Sequence, residues 1–441
     1  MAESRKRRVA ILGVAIDNLT MHQVIDAVES QIAKGGFHQI ATANADFIAN
    51  SVRDEELREV LSGCDIVLPD GMPLVWASRL LGARLEERVA GADLVPRLTK
   101  LSAERGYRIF LLGASEESSA GTAAWMQRNF PGVCIAGRYS PRIQPLEEMD
   151  HEYMLACIEE ARPDILLVAF GNPKQEKWIA MHRNRLKVPV CIGVGGSFDF
   201  LSGRFRRAPV WMQQNGLEWL HRTMQEPSRL AKRYFCNAAA LLRHLPAQLV
   251  WMAVQPKPRT KGEITKATVG NAKILYIRGD LTGPVLPQFD VEVSGAILSG
   301  LHVVLDLSQT TYVGADALGS LIHVMNLARR WRRDLWVAGT HPNLVRVFRA
   351  AQLRPSFRVA SKVSEALRRI EADLIPVPPL DEDSTFIQVR GQSIPVCTQE
   401  MPELYRQVQM FMQRTVTVDT LPIASSDSQK RGSSIRASLP G

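Results

Sequence analysis

The sequence has no stretch of about 18 uninterrupted apolar residues, the length a helix needs to cross a bilayer, so no transmembrane helix is expected. Its six cysteines, Cys64, Cys134, Cys157, Cys191, Cys236 and Cys397, form no CxxC pair. That argues against zinc sites and disulfides, and for small buried hydrophobes in a reducing compartment. Neither GxGxxG nor a Walker A lysine motif occurs, which disfavours a nicotinamide Rossmann site and a P-loop. The Asp-x-Asp spacing that many nucleotide-sugar enzymes use to hold a divalent ion occurs only at Asp381-Glu382-Asp383, in a presumed tail, and the nine histidines are scattered. Metal-independent chemistry without a cofactor is therefore expected, with anionic groups neutralised by N–H groups and arginines. The basic segment Met1–Arg8 is followed by the apolar run Val9–Ile16, which ends at Asp17 without a small-residue cleavage site. It reads as a first strand, not a signal peptide, and a cytoplasmic protein is expected.

What is present points to two or three domains. The chain has 441 residues, more than one core usually serves, and 46% of them are apolar, which excludes disorder along its whole length. The net charge of +9 is unevenly placed. Arg204, Arg206, Arg207, Arg222, Arg229, Lys232, Arg233 and Arg243 crowd one stretch, opposed only by Glu218 and Glu226. Such an excess predicts an anionic partner. Trp219, Leu220, Leu230, Tyr234, Phe235 and Leu241 interleave with these cations, so the stretch is expected to lie on an acidic membrane surface. The alternative is a solvated face packed on its own domain. Nucleic acid is not expected, because no stacking platform or reading motif accompanies the charge.

From Val9 to about Pro246 short β-branched runs alternate with helical patterns. Strands are expected at Val9–Ile16, Gln39–Ala43, Ile66–Pro69, Arg108–Leu112, Gly132–Ala136, Asp164–Phe170 and Val190–Val194. The fold class is α/β, a mainly parallel sheet with helices on both faces, Rossmann-like, with a helical basic appendage at about 204–254. Residues 255–266 read as a linker, 267–374 as a smaller α/β domain with a helix at Ala315–Arg330, and 375–441 as a partly disordered tail.

Ligands of such sheets bind beyond the carboxyl ends of the strands, so the loops there carry the candidates. In Ala41-Thr42-Ala43-Asn44-Ala45-Asp46 (ATANAD), Thr42 and Asn44 either bind a sugar or cap the next helix. In Leu68-Pro69-Asp70-Gly71-Met72-Pro73, Asp70 either takes a proton from an attacking hydroxyl or caps a helix. In Phe170-Gly171-Asn172-Pro173-Lys174-Gln175-Glu176, a Pro-led helix start offers N–H groups to phosphate, and Gln175 is a candidate for a sugar hydroxyl or diphosphate. Gly195 and Gly196, and more weakly Gly113, let the backbone approach a ligand closely.

Taken together and in this order, TxNAD, LPDGMP, PKQE, GVGGSFDFLSG, RAPxW and GLEWLHR resemble the WecG/TagA/CpsF glycosyltransferase family over residues 9–254. The resemblance implies an inverting transfer of a hexose or N-acetylhexosamine-type sugar from a UDP-sugar to a polyprenyl-diphosphate-linked acceptor, in cell-surface or exopolysaccharide synthesis. The appendage would complete the site at the inner leaflet of the cytoplasmic membrane. It implies Asp70 as general base and Thr42, Asn44 and Gln175 as substrate-binding groups. Arg222, Arg229 and Lys232 would face the donor diphosphate or acceptor pyrophosphate, with Gly113, Gly195 and Gly196 in the donor-phosphate loops. His221 stands where the family often has tyrosine.

The second domain, through Leu305-Asp306-Leu307-Ser308 and Tyr312-Val313-Gly314-Ala315-Asp316-Ala317-Leu318-Gly319, resembles a STAS domain of the anti-sigma-factor-antagonist type. Asp316 stands where signalling members carry a phosphorylatable Ser or Thr, so a docking module, or one fixed in a phosphorylated-like state, is expected, with a protein partner. Two rivals follow from the same residues. One is a nucleotide-binding dehydrogenase, disfavoured by the missing GxGxxG. The other is a non-enzymatic partner-switching protein acting through the STAS-like domain.

Overall fold

The computed structural model describes residues 7–256, 258, 260–353, 358–374, 386–389 and 392–395, with the backbone alone for Arg229 and for residues 372–374, 386–389 and 392–395. Asp381–Asp383, Cys397 and most of the expected tail lie outside the described residues.

The chain opens with β1 (Arg7–Ile11) and β2 (Val14–Asn18), an antiparallel hairpin in place of the single strand expected at Val9–Ile16. Leu12 and Gly13 take φ of 46° and 86° and turn the chain back. The run is apolar on both sides of Gly13, so the period-2 signal continues across the break and only that glycine marks it.

Six strands build the main sheet: β3 (His38–Ala43), β4 (Ile66–Pro69), β5 (Arg108–Gly113), β6 (Cys134–Tyr139), β7 (Ile165–Ala169) and β8 (Val190–Gly193). Their order is β4-β3-β8-β7-β5-β6 and every pair is parallel. Alternate residues feed opposite faces. Ile109, Leu111, Ile165, Leu167, Val190 and Ile192 join one core, whereas Phe110, Leu112, Leu166, Val168 and Cys191 join another. Burial on both faces is why these strands read as unbroken apolar runs. Register sets the strand ends level: Ala43 lies opposite Pro69, Ala41 opposite Gly193, and Gly113 opposite Ala169. The loops that follow therefore open onto one rim.

The segment after Asn44 forms two helices, Ala45–Arg53 and Glu55–Gly63, because Asp54 turns its carboxylate to the Leu57 N–H at 2.9 Å and starts a second helix. Past the sheet, helices Val210–Gln214, Glu218–Gln225 and Pro227–Val254 form the appendage.

The second domain has β9 (Glu263–Val269), β10 (Ala272–Leu281), β11 (His302–Val313), β12 (Leu335–Ala338) and β13 (Arg358–Ala360), ordered β13-β12-β11-β10-β9, with only the β9 pairing antiparallel. β9 begins inside the segment expected as a linker, since Lys266 and the alternating pattern of an exposed edge strand look like linker composition. The helix Ala315–Arg330 lies where it is expected, and the helix Leu286–Leu298, begun by Pro287, was not anticipated. A short hairpin pairs Phe386–Val389 with Gln392–Pro395. One continuous core joins the two domains. It runs from Ala41, Ala43 and Val67 on the main sheet, through Val9, Ile11, Val14 and Ile16 of the hairpin, to Leu318, Leu321 and Leu305.

Candidate active site

A cavity of about 980 Å³ opens at the rim where the strand ends align. Thr42, Asn44, Asp70, Gly113, Gln175, Gly195, Gly196 and Arg222 all line it, so loops separated by up to 180 residues of chain meet there. The size suits a drug-sized or larger ligand.

Asp70 follows Pro69 directly at the end of β4, its N–H donating to Ala43 O at 2.7 Å. Burial first, and then the charges of Glu218 and Asp93, push its carboxyl up to about 8, against the pull of Arg88 and the Gly91 N–H. Burial leads, and the pairing of the neighbouring charges leaves little to offset it. Arg88 pairs with Glu218 at 3.0 Å and Asp93 at 3.1 Å, and Arg207 chelates Asp93 at 2.6 and 2.7 Å. Burial alone would raise Asp93, but Arg207 and Arg88 outweigh it and hold that carboxyl below its ordinary value. Two guanidinium groups thus neutralise two carboxylates, and among the described residues no cation pairs with Asp70. Arg88 and Asp93 belong to none of the motifs that carry the resemblance; Arg207 and Glu218 do, but the sequence shows them only as charges of the appendage. Nothing in their local spacing announces a network that joins the residue 88–93 loop to the appendage.

Asn44 caps the helix Ala45–Arg53, its Oδ1 accepting from Asp46 N at 3.0 Å and Phe47 N at 3.3 Å. Among the described residues no protein acceptor takes its Nδ2. Thr42 is buried and its hydroxyl donates to Gly193 O at 2.8 Å, tying β3 to the glycine loop. Asp46 accepts from Asn172 Nδ2 at 3.3 Å and from Asn237 Nδ2, and Arg233 Nε lies 3.6 Å away, so one carboxylate joins two rim loops to the appendage helix.

Gln175 is only 1% exposed. Its Oε1 accepts from Gly171 N at 3.1 Å and Gly195 N at 3.0 Å, and its Nε2 donates to Glu176 Oε1 at 2.7 Å. Its Oε1 thus holds the Gly171 and Gly195 loops together, while Gln175 also lines the cavity and one of its two Nε2 N–H groups has no acceptor among the described residues. Its neighbour Glu176 is fully buried, and burial, against the Gln175 bond, raises that carboxyl to about 8. A neutral acid there accepts the Gln175 amide without placing a charge in the core.

Arg222 comes from the helix Glu218–Gln225. Its guanidinium stands 5.3 Å from the Phe200 ring centroid and packs so closely on Gly196 that an added Cβ there would collide with it. Its Nε is buried with no hydrogen-bond partner, and among the described residues no carboxylate pairs with it. The Gly195 backbone at φ +52° and the Gly113 backbone at φ +98° complete the loops, and a side chain at Gly113 would strike Phe170 and Ala169. A cation on glycine backbone, facing a cavity, suits an anionic ligand.

The remaining two appendage cations fare differently. Lys232 is exposed and does not line the cavity, and the Arg229 side chain lies outside the described residues. Arg233, one residue on, turns inward instead. The sequence places 232 and 233 on one helical face, but the 100° step from Lys232 to Arg233 brings Arg233 to the cavity side and leaves Lys232 off it. The appendage also exposes Val210, Trp211, Trp219, Met224 (73%), Phe235 (77%) and Leu242. Among the described residues no helix is long and apolar enough to cross a membrane.

Comparison with known proteins follows the same division. A family model described as the glycosyl transferase WecG/TagA/CpsF family matches residues 9–254, and a STAS domain model matches residues 263–366. The N-acetylglucosaminyldiphosphoundecaprenol N-acetyl-beta-D-mannosaminyltransferase of Bacillus subtilis is 36% identical over 190 residues, which cover 43% of this chain and 72% of that protein. The transferase of the same description from Bacillus spizizenii is 32% identical over 231 residues, covering 52% and 85%. Among solved structures, the anti-sigma factor antagonist SpoIIAA in its unphosphorylated form is 17% identical, covering 25% of this chain and 97% of that one, with a TM-score of 0.23. An anti-sigma factor antagonist from Mycobacterium paratuberculosis is 13% identical, covering 27% and 99%, with a TM-score of 0.23.

Proposed function

The chain belongs to the WecG/TagA/CpsF glycosyl transferase family, and from that premise we propose that it transfers an N-acetylhexosamine-type sugar from a UDP donor to polyprenyl-diphosphate-linked N-acetylglucosamine, with inversion and without a metal. The related transferases are named for an N-acetylglucosaminyldiphosphoundecaprenol acceptor and an N-acetylmannosaminyl group, which supports the acceptor class and the sugar type. The observation that carries the reading is the placement of Asp70 and Arg222 on the wall of one cavity.

The step balances as a single displacement. The Asp70 carboxylate accepts the proton of the acceptor hydroxyl. That oxygen forms a bond to the anomeric carbon, and the bond from that carbon to the diphosphate oxygen breaks on the opposite face. The electron pair leaves with UDP, whose added charge Arg222 and the Gly195–Gly196 backbone stabilise. A carboxyl raised to about 8 is a stronger base toward an alcohol than an ordinary aspartate, while remaining ionisable near neutral pH. Asn44 and Thr42 stand beside it as groups toward the sugar, and Gln175 keeps the two loops in place.

The test is a panel of UDP-sugars with a synthetic polyprenyl-diphosphate N-acetylglucosamine, read as UDP release, with and without EDTA. One donor turned over in an acceptor-dependent manner, unaffected by EDTA, is the expected result. No release with any donor overturns the transfer reading, and loss of turnover in EDTA overturns its metal independence.

The exposed appendage side chains, beside Arg206, Lys232 and Arg243, support docking to an acidic leaflet, where the lipid acceptor resides. Replacing Trp211, Met224 and Leu242 together with glutamate, none of which lines the cavity, is expected to lower binding to phosphatidylglycerol vesicles at least tenfold in a flotation assay. Water-soluble acceptor analogues should still be turned over. Equal flotation of variant and parent would dismiss the docking face.

A further inference from the structure

The second domain is joined to the first through the hairpin. On one side β2 packs against β4, with Val67 N donating to Asp17 Oδ2 at 2.8 Å and the largely buried Arg8–Asp17 pair at 3.0 Å spanning the two hairpin strands. On the other side the helix Ala315–Arg330 packs along both hairpin strands. Gly319, in the middle of that helix, lies on the backbone of Arg8, and a Cβ added there would come within 2.7 Å of the Arg8 carbonyl carbon. Glycine is an unfavourable choice inside a helix, and so close a backbone approach is the reason for it.

The remaining hydrogen bonds close the joint. Gln248 of the appendage helix donates to Ala10 O at 2.9 Å and accepts from Leu12 N at 3.0 Å. Gln255 accepts from Val313 N at 3.0 Å and donates to Val313 O at 3.1 Å, which ties the end of that helix to β11. Arg330 reaches Asp65, directly before β4, at 3.3 Å. The helix 315–330 is buried at Ala315, at every position from Ala317 to Ile322, and at Val324, Met325 and Ala328, so little of it remains for an outside protein. The candidate switch residue is also engaged internally: Asp316 accepts from Thr282 Oγ1 at 2.9 Å and from Gly283 N at 2.8 Å.

A two-stranded hairpin has little stability of its own and takes its position from what covers it. Here it is held between the strand that delivers Asp70 and the helix of the second domain. We infer that the second domain is a fixed intramolecular brace: the partner of helix 315–330 is the hairpin 7–18 of the same chain, and this contact positions β4 and the Pro-Asp-Gly loop. The inference rests on the reading of Asp70 as the base, and Gly319 and Gln248 are positioning residues that touch no ligand.

The test uses the full chain carrying Gly319→Val, with Gly319→Ala and Gln248→Leu as gentler variants read in the same way should the first not fold. Two readouts are taken: hydrogen exchange of residues 7–18 and 66–70, and steady-state transfer. The expected result is faster exchange in both segments, a kcat lowered about tenfold or more, and KM for the donor within about twofold, because the base is displaced while the donor loops are not. Faster exchange in the hairpin with unchanged exchange at 66–70 and unchanged kcat would overturn the brace. If the parent protein transfers no sugar, the Asp70 reading has failed by itself, and the exchange of 66–70 still decides whether the second domain holds that loop.

Discussion

Asp70→Asn is expected to lower kcat by about 10²–10⁴, the usual contribution of a positioned general base, with KM for the donor little changed. The amide matches the carboxyl in shape but takes no proton. The pH dependence makes the assignment specific. Activity requires the carboxylate, and the carboxyl is raised to about 8, so kcat/KM of the parent should climb with pH, reach half its maximum at about 8 and level off above that. At pH 7 only about a tenth of the molecules would carry the charged form. The residual activity of the variant should lack that climb. Stability supplies the control, and its sign is opposite. A carboxyl whose folded value lies above the unfolded 3.8 stabilises the fold fully at acid pH, and that stabilisation is lost as pH rises through about 8. The neutral amide avoids the loss, so Asp70→Asn should melt no lower than the parent at pH 8. A variant that melts normally and turns over within about threefold of the parent would remove Asp70 from the role.

Arg222→Ala is expected to reduce kcat/KM by about 10²–10³, the cost of removing one preorganised donor from developing charge. The guanidinium is seated on Gly196 and over the Phe200 ring, with no carboxylate partner among the described residues, so its charge is left for a ligand. Because no carboxylate among the described residues depends on it, the melting temperature should move little. Arg222→Lys keeps the charge but not the planar fork, and should recover only part of the rate. Inhibition by UDP should weaken in parallel, since the same group would hold the leaving diphosphate. Full activity in Arg222→Ala, measured as UDP release, would place the diphosphate elsewhere, and Arg233 or Arg204 would be the next cations on the cavity wall to examine.

The parallel strands were legible because burial on both faces leaves unbroken apolar runs, and each run ended in a loop with a polar or glycine signal. The hairpin was not, because Leu12 and Gly13 turn inside one apolar run whose two halves are both buried. For the candidate site, Asp70, Asn44 and Arg222 were legible as residue types at strand ends or on the basic appendage. Gln175 was legible as a position, but its bracing contacts were not, because its Oε1 meets the N–H groups of Gly171 and Gly195, the second of them on a loop twenty residues away. Lys232 was misplaced for a simpler reason. A cation count finds a basic helix, but which cation faces inward depends on where that helix docks.

By itself the sequence determined the element types, the family motifs and the residues that end each strand, because these follow from local apolar periodicity and backbone preference. Only the tertiary structure decided what those residues meet. The raised Asp70 carboxyl comes from burial and from Glu218, which lies in another part of the chain, and the Arg88–Asp93–Arg207–Glu218 network closes only when the appendage folds back. The same holds for Gly319, whose place in a helix makes sense only against the backbone of Arg8. Charge and close packing act across space, and the sequence order of the groups carries no measure of that distance.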